Sequence, residues 1–577
     1  MNPTAEWDYG MASSAPLQSS DALTTTSEGR SIGWRGFAVL VMLLASITAR
    51  WIAHANAGGL WRDEIHSVNM ATAPTDDLFY VLTYDSFPVL WQVLLRGWIS
   101  LFGSTDLSVR ALGLLSGLAV VPALWWMTRQ LGLSFPWWSM LLLGIDPTLI
   151  IFGGEVRGYG LGVVTLLVLI GVSWNALQHP SIWQWTALMV TALLAVQSSY
   201  TNCFLLAATF IGCGVVALSR RRYLVCVGFG TVGILSAASM LPYAIYVLPR
   251  LSAVIKPFLP SISSWTRVRV FRNTLAWGGI AREVIWCVIG AIATREVYRR
   301  VCSRTFNQRP QSESDQNLAL FAMTFFWVST VGFWWYMNFL GAHTANWYYM
   351  PYLTVLAVTT EIGIQLWLKR RPRRENWGFR LALVASVLVC AEVASTLPYR
   401  MTSVDLVARN LSSRVREGDL VLVMPWWYGI PFDRYYNGPA KWMTLPDVDH
   451  DRQHNGYQEL YQRVMRLPPA EAIQSELAQI DAVLLAGGKI WWVGPPPYLP
   501  PGEEPLQLTA APDPKYGWSE TAYFTAWQHM VFQHMQAIGV TTSEHLVPRP
   551  KLINVLEDPP VYVFQPSRAE LKLSASE

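Results

Sequence analysis

Two adjacent acids, Asp63 and Glu64, lie inside Leu60-Trp-Arg-Asp-Glu-Ile-His-Ser-Val-Asn-Met70, shortly after the first apolar run of the chain. A carboxylate beside aromatic residues, near membrane level, can act as a general base and take a proton from a hydroxyl. The same pair at a helix start would serve only the helix N-terminal dipole. Both readings stand on the residues alone. A second group, Gly154-Glu-Val-Arg-Gly-Tyr-Gly160, offers Glu155, Arg157 and Tyr159. A guanidinium grips phosphate through parallel hydrogen bonds, so Arg157 suits a phosphorylated ligand. An ion pair between Arg157 and Glu155 is the structural alternative. Tyr159 suits a substrate contact or plain packing. A third group is basic: Arg250, Lys256, Arg267, Arg269 and Arg272, with no Asp or Glu among them. These side chains either snorkel to lipid headgroups or line a groove for an anionic lipid phosphate or acceptor. His343 is an acid or base by type and a structural residue by frequency. The aromatic run within Met424–Gly438 suits sugar stacking and core packing equally.

The elements that carry these groups are read from apolar patterning. The chain has 577 residues, 29 of them Trp; 52% are hydrophobic and 14% charged, against about 25% charge in an ordinary soluble domain. That composition excludes a string of soluble domains and a largely disordered chain. The net charge of +4 gives no sign of nucleic acid. Mean hydropathy is only +0.26, so a sizeable part is water-soluble. Eleven apolar stretches approach the ~20 residues that span a bilayer. They are roughly 34–53, 107–128, 135–152, 158–177, 181–197, 203–219, 223–247, 275–294, 317–339, 347–368 and 380–397. Basic clusters at Arg220–Arg222, Arg295–Arg309 and Lys369–Arg374 then fall on one side, the cytoplasm by the positive-inside rule. That places the N-terminus in the cytoplasm and the C-terminus outside, in a multi-pass protein of the inner (plasma) membrane. The acidic pair lies in a long first outer loop, 54–106, whose Pro88–Phe102 segment reads as an amphipathic interfacial helix. Nine tryptophans, Trp61, Trp91 and Trp138 among them, fall at span ends or in outer loops, where the bilayer interface favours indole.

Three segments follow: a disordered cytoplasmic tail at 1–33, a transmembrane part at 34–397, and an outer α/β domain at 398–577. In the last, 419–424, 480–485 and 560–564 read as strands, and 458–466 and 469–480 as helices between the first two. No Cys/His spacing suggests zinc.

The acidic pair after the first span, the Asp85-Ser-Phe-Pro-Val-Leu90 segment, Arg110-Ala-Leu-Gly-Leu-Leu-Ser-Gly-Leu118 and the Glu155-Val-Arg-Gly-Tyr159 segment together resemble the GT-C glycosyltransferases. The resemblance covers roughly 34–397 and lies nearest the bacterial protein-mannosyltransferase and aminoarabinose-transferase group. It implies a polytopic enzyme of GT-C type, working on the outer membrane face with a polyprenyl-phosphate sugar donor. It implies a catalytic role for Asp63, with Glu64 a second candidate. Asp85, Glu155, Arg157, Tyr159, Arg267, Arg269, Arg272 and His343 are then candidates for substrate contact. The chain departs from the family where relatives carry His-Pro-Pro-type segments; here Ser86-Phe-Pro-Val89 stands without the histidine. No cofactor follows from the residues; the acids at 63, 64 and 155 leave a divalent metal open. The implied partners are the lipid-linked donor, membrane lipids and a glycan, lipid or protein acceptor, without nucleic acid. A transporter or flippase of lipid-linked saccharide is the rival reading, and a non-catalytic scaffold the third.

Overall fold

The structure, a computed structural model, describes residues 34–566 except 75–77, 259–262, 278, 306–311, 342–343, 448–461, 496–497, 499–503, 505 and 555–556. The 1–33 tail and His343 therefore lie outside the described residues. Two compact units are distinguished, Met1–Val41 and Met42–Glu577. Among the described residues the first holds only the beginning of helix α1, Trp34–Asn56. All that follows concerns the second.

Helical segments occupy each of the eleven apolar stretches. Five helices are long and apolar enough to cross a membrane, and up to eight spans result if each of three bent pairs is one span. The chain is thus a mostly helical, multi-pass membrane protein with a small sheet. One bend, of 68°, separates Trp137–Gly144 from Pro147–Gly154. Pro147 lacks an N–H to continue the first helix, and Asp146 caps the second by accepting from Leu149 N–H at 2.9 Å. Asp146 is also ion-paired with Arg282, so neither buried charge is left alone.

Helix α2, Arg62–Thr72, carries the acidic pair, and α3, Val89–Phe102, forms where the sequence places an amphipathic helix. Trp91, Gln92 and Leu95 of α3 face the protein, while Val93, Leu94 and Leu101 are exposed. Helix α4, Asp106–Gln130, packs along α5, Tyr159–Gln178. Trp61, Trp91 and Trp138 are buried rather than interfacial, whereas Trp51 and Trp265 are exposed.

The C-terminal segment forms one five-stranded sheet. Its strands are β1 (Leu420–Val423), β2 (Lys441–Thr444), β3 (Ile490–Val493), β4 (Val540–His545) and β5 (Val561–Pro566), in the order β2-β1-β3-β5-β4. β1 pairs parallel with β2 and β3; β5 runs antiparallel to β3 and β4. β1 and β5 fall where the sequence places strands. The 480–485 stretch does not: it completes a helix, Gln474–Leu485, and the strand follows at β3. Glu476, Ile480 and Leu484 are the buried residues of that helix, spaced four apart on one face. Of the helix foreseen at 458–466, residues 458–461 lie outside the described residues and 462–465 are helical.

The sheet does not have a core to itself. One continuous apolar cluster joins Leu60, Ile65, Val68 and Trp91 of the first loop to Val404, Leu422, Trp492 and Phe564 of the C-terminal segment. Polar contacts fix the register of this joint. The Tyr435 hydroxyl accepts from Leu60 N–H at 2.6 Å and donates to Asp106 at 2.6 Å. Arg434 bonds the same aspartate at 2.8 Å. The Gly58-Gly59 turn, with Gly58 at φ +77°, lies against the Arg400–Asp405 ion pair. A methyl group on Gly59 would sit 2.6 Å from the Asp405 carboxyl carbon. Tyr435→Phe removes two hydrogen bonds across the joint and is expected to lower stability by about 1–2 kcal/mol. Chemical denaturation followed by tryptophan fluorescence measures this; an unshifted midpoint would mean the joint does not depend on the hydroxyl.

Candidate active site

Trp61 is the residue at which α2 begins, and its indole offers no oxygen to cap the helix. Glu64 reaches back instead, its Oε2 accepting from Trp61 N–H at 3.3 Å. Its carboxylate also pairs with Arg110 at 2.7 Å and accepts from Val156 N–H at 3.2 Å. Arg110 in turn donates to the carbonyls of Gly58 and Gly59. Glu64 is 1% exposed and both its oxygens are engaged, so it is a brace and has no lone pair free for a substrate proton.

Gly113 and Gly117 of α4 continue the face that carries Arg110. Any Cβ on Gly113 would meet the Glu155 carbonyl at 2.5 Å, and one on Gly117 the Gly153 carbonyl at 3.1 Å. This close approach seats the 153–157 turn beside α2. Two small residues in the 110–118 motif therefore have a steric purpose.

Asp63 keeps a different environment. Its side chain is 18% exposed, and its Oδ1 accepts from Arg62 Nε at 3.0 Å. Burial alone would raise its pKa, but the charges of Arg62 and Arg157, with His66, outweigh this and hold it below the ordinary value. Asp63 therefore stays ionised throughout the neutral range.

Arg157 does not pair with Glu155. Its partner is Asp85, at 3.3 Å, and it donates to Ser67 Oγ at 3.2 Å. The guanidinium lies over the Phe87 ring at 5.1 Å, and Phe87 meets Tyr159 edge-on at 4.8 Å. Asp85 is itself held by Gln92 at 3.0 Å and Ser86 N–H at 2.7 Å. Arg157 is only 5% exposed, so its charge is fixed in place rather than free to swing. Glu155 is 4% exposed, and neither carboxylate oxygen has a hydrogen-bond partner among the described residues. Burial, then the neighbouring charges of Glu64 and Asp63, push its pKa well above the ordinary range. Glu155, Glu64, Arg110, Arg50, His54 and Tyr399 are among the residues lining a cavity of about 410 Å³.

The structure thus gathers Asp63, Asp85, Arg157 and Tyr159 into one cluster, with Glu64 and Glu155 behind them. The basic group is not gathered there. Arg267 is buried, bonded to Asn338 at 3.0 Å, and its carbonyl accepts from Tyr349 at 2.9 Å. Arg269 is exposed, and exposed Arg272 pairs with Glu283 at 2.7 Å. Sequence reasoning missed four neighbours: Arg62, Ser67, Tyr348 and Glu557. Tyr348 feels the charges of Asp63 and Arg157. Glu557 accepts from Arg62 N–H at 3.1 Å. Arg62 was legible by its place beside Asp63; Glu557, 495 positions away, left no local signal. Among the described residues no group of three or more His, Cys, Asp or Glu is placed to hold a metal ion. The divalent metal left open by Asp63, Glu64 and Glu155 thus has no ready-made ligand set, because Glu64 is committed to Arg110.

Arg110→Ala leaves the Glu64 charge buried without its partner and is expected to destabilise the fold by about 3–5 kcal/mol; a loss below 1 kcal/mol in denaturation would refute the bracing role. A second expectation concerns pH. Burial pushes Glu557 from its ordinary 4.5 up to about 8, against the pull of Arg62. Between those values the folded chain keeps a proton that the unfolded chain has lost. Its contribution to stability is therefore full below about 4.5 and is lost as pH rises through about 8. Glu557→Gln should flatten that part of the stability–pH curve.

No family model matches the chain, and no curated protein matches it. Solved structures do show likeness. The oligosaccharyltransferase AglB of Archaeoglobus fulgidus, in complex with an inhibitory peptide and a dolichol-phosphate, matches with a TM-score of 0.45 at 11% identity. The match covers 80% of this chain and 69% of that one. ArnT from Cupriavidus metallidurans, bound to undecaprenyl phosphate, matches with a TM-score of 0.33 at 13% identity, over 92% and 98% of the two chains. The mycobacterial arabinofuranosyltransferase AftD matches with a TM-score of 0.42 at 13% identity, over 93% of this chain and 41% of that one. Two of the three are sugar transferases by name.

Proposed function

We propose that the chain is a membrane glycosyltransferase of GT-C type. It moves a sugar from a polyprenyl-phosphate donor to a hydroxyl of a glycan, lipid or protein acceptor. The observation that carries this reading is Asp63: an ionised, partly exposed carboxylate in the first turn of α2, beside two arginines. Asp63 takes the acceptor proton, the acceptor oxygen attacks the sugar carbon, and the polyprenyl phosphate departs. A carboxylate with a low pKa is a weak base while its cation holds it. Arg62, 35% exposed, is the cation a donor phosphate can draw away. Donor binding then frees Asp63 at the moment the base is needed. Arg157 supplies a fixed positive field for the developing charge. Tyr159, Asp85 and Glu155 shape the pocket, the last through the cavity it lines. His343, Arg267, Arg269 and Arg272 remain candidates for contact with donor or acceptor.

In this reading all eleven apolar stretches span the inner membrane, the N-terminus is cytoplasmic, and the 398–577 segment forms a domain on the outer face, with the site beside it. The exposed apolar side of α3 then rests in the lipid interface, where a polyprenyl donor is delivered.

Asp63→Asn is expected to lower transfer from a polyprenyl-phosphate sugar by about 10²–10⁴-fold with the fold intact. Transfer by the purified protein in nanodiscs is the measurement; undiminished turnover would remove Asp63 from the chemistry. If the wild-type protein instead moves lipid-linked sugar across liposomes with its phosphate bond whole, the transporter reading replaces this one. Because Asp63 in the free protein ionises below its ordinary value, its acid limb in the kcat/KM profile should lie below about pH 4.

A further inference from the structure

A helix start leaves its first four N–H groups without intrahelical partners. At α2 the usual remedy is missing, since Trp61 has no side-chain acceptor. Glu64 satisfies Trp61 N–H from within the helix. The next donor, Arg62 N–H, meets the Glu557 carboxyl, whose two oxygens lie 3.1 and 3.4 Å away. Glu557 is 2% exposed, so water does not compete for this contact.

The backbone of Glu557 is itself clamped. Its carbonyl accepts from Ser403 N–H at 2.9 Å, and its N–H donates to Asn554 at 3.3 Å. The next residue, Asp558, accepts from Ser403 Oγ at 2.7 Å and from Arg549 at 2.6 Å. Thr402 hydrogen-bonds the Glu557 carboxyl. Hydrogen-bonded residues of the C-terminal segment therefore meet the residue that precedes Asp63.

We propose that Glu557 is a positioning residue for Asp63, fixing the first residue of α2 and, through it, the carboxylate that follows. The inference rests on Asp63 being the base, as read above. Arg62 joins the two acids twice over. Its N–H is held by Glu557 and its guanidinium by Asp63. The charged and titratable groups facing Glu557 are Arg62 and Asp63 on α2 and Tyr428 in the turn after β1. When Glu557 carries its proton, the Arg62 charge is left to Asp63. When Glu557 ionises, the two carboxylates share it. Glu557 thus governs both where Asp63 stands and how firmly its cation holds it.

The test compares Glu557→Ala, Glu557→Gln and Asp558→Asn in the full chain in nanodiscs. Two measurements are made: transfer kinetics, and hydrogen exchange resolved to the Arg62 amide. Glu557→Ala should lower kcat by about 10- to 100-fold while donor KM stays within about twofold, because misplacement of a reacting group harms the chemical step. It should also speed exchange of the Arg62 amide. Glu557→Gln keeps an acceptor oxygen without the titration. It should restore slow exchange and much of kcat, and should lack the alkaline inflection near pH 8 expected of the wild type. Asp558→Asn, which loosens the same loop without touching Arg62, should leave the exchange slow. The proposal is overturned if Glu557→Ala leaves Arg62 exchange and kcat unchanged. It is overturned too if Glu557→Gln is as impaired as Glu557→Ala. If the wild-type protein transfers no sugar, the functional reading fails, and Arg62 exchange still decides whether Glu557 positions α2.

Discussion

The buried pair of Glu64 and Arg110 is the contact on which the other arrangements hang. Two opposite charges out of water demand further hydrogen bonds, and here backbone groups from several parts of the chain supply them. Glu64 takes N–H groups from Trp61 and Val156; Arg110 takes carbonyls from Gly58 and Gly59. One ion pair therefore locks the end of the first turn, the start of α2, the face of α4 and the 153–157 turn. Such a pair adds little net stability over apolar packing. What it adds is a single permitted geometry, because any slip leaves a charge unmet.

Around that lock the charges divide into those that are fixed and those with room to act. Arg157, Asp85 and Arg110 are fixed by two or more partners each. Asp63 and Arg62 keep some exposure and lean chiefly on each other. A site needs both kinds: a rigid field, and a pair able to exchange its partner for a ligand. The neighbouring carboxyl of Glu155, buried without a hydrogen bond among the described residues, sits in the same field and faces the cavity.

Much of this was legible in the chain and some was not. The helices show because apolar runs near bilayer length are a strong, local pattern. The acidic pair shows because charge beside such a run is rare. Its division of labour was hidden, since nothing in Asp63-Glu64 tells which side chain meets Arg110. The pairing of Arg157 with Asp85 rather than Glu155 was hidden for the same reason: sequence proximity favours the near acid, and the turn points it elsewhere. The 480–485 run misled because six apolar-rich residues fit a strand or a helix face equally. Trp61 and Trp91 misled because interfacial indoles and core indoles have the same composition. Only the packing separates them: Trp91 is buried where the first loop meets the sheet, and Trp61 against Trp347 in the helical core.

The separation of Arg62 and Glu557 by 495 positions carries a consequence in time. At the ~5–20 residues per second of protein synthesis, about 25–100 s pass between the emergence of one and the other. During that interval the early helices can already sit in the bilayer. The start of α2 lacks its remote acceptor until Glu557 has been made. A chain made only as far as α2 thus holds the Arg62 N–H without the acceptor that meets it in the finished fold, and the helix start is complete only once Glu557 is in place.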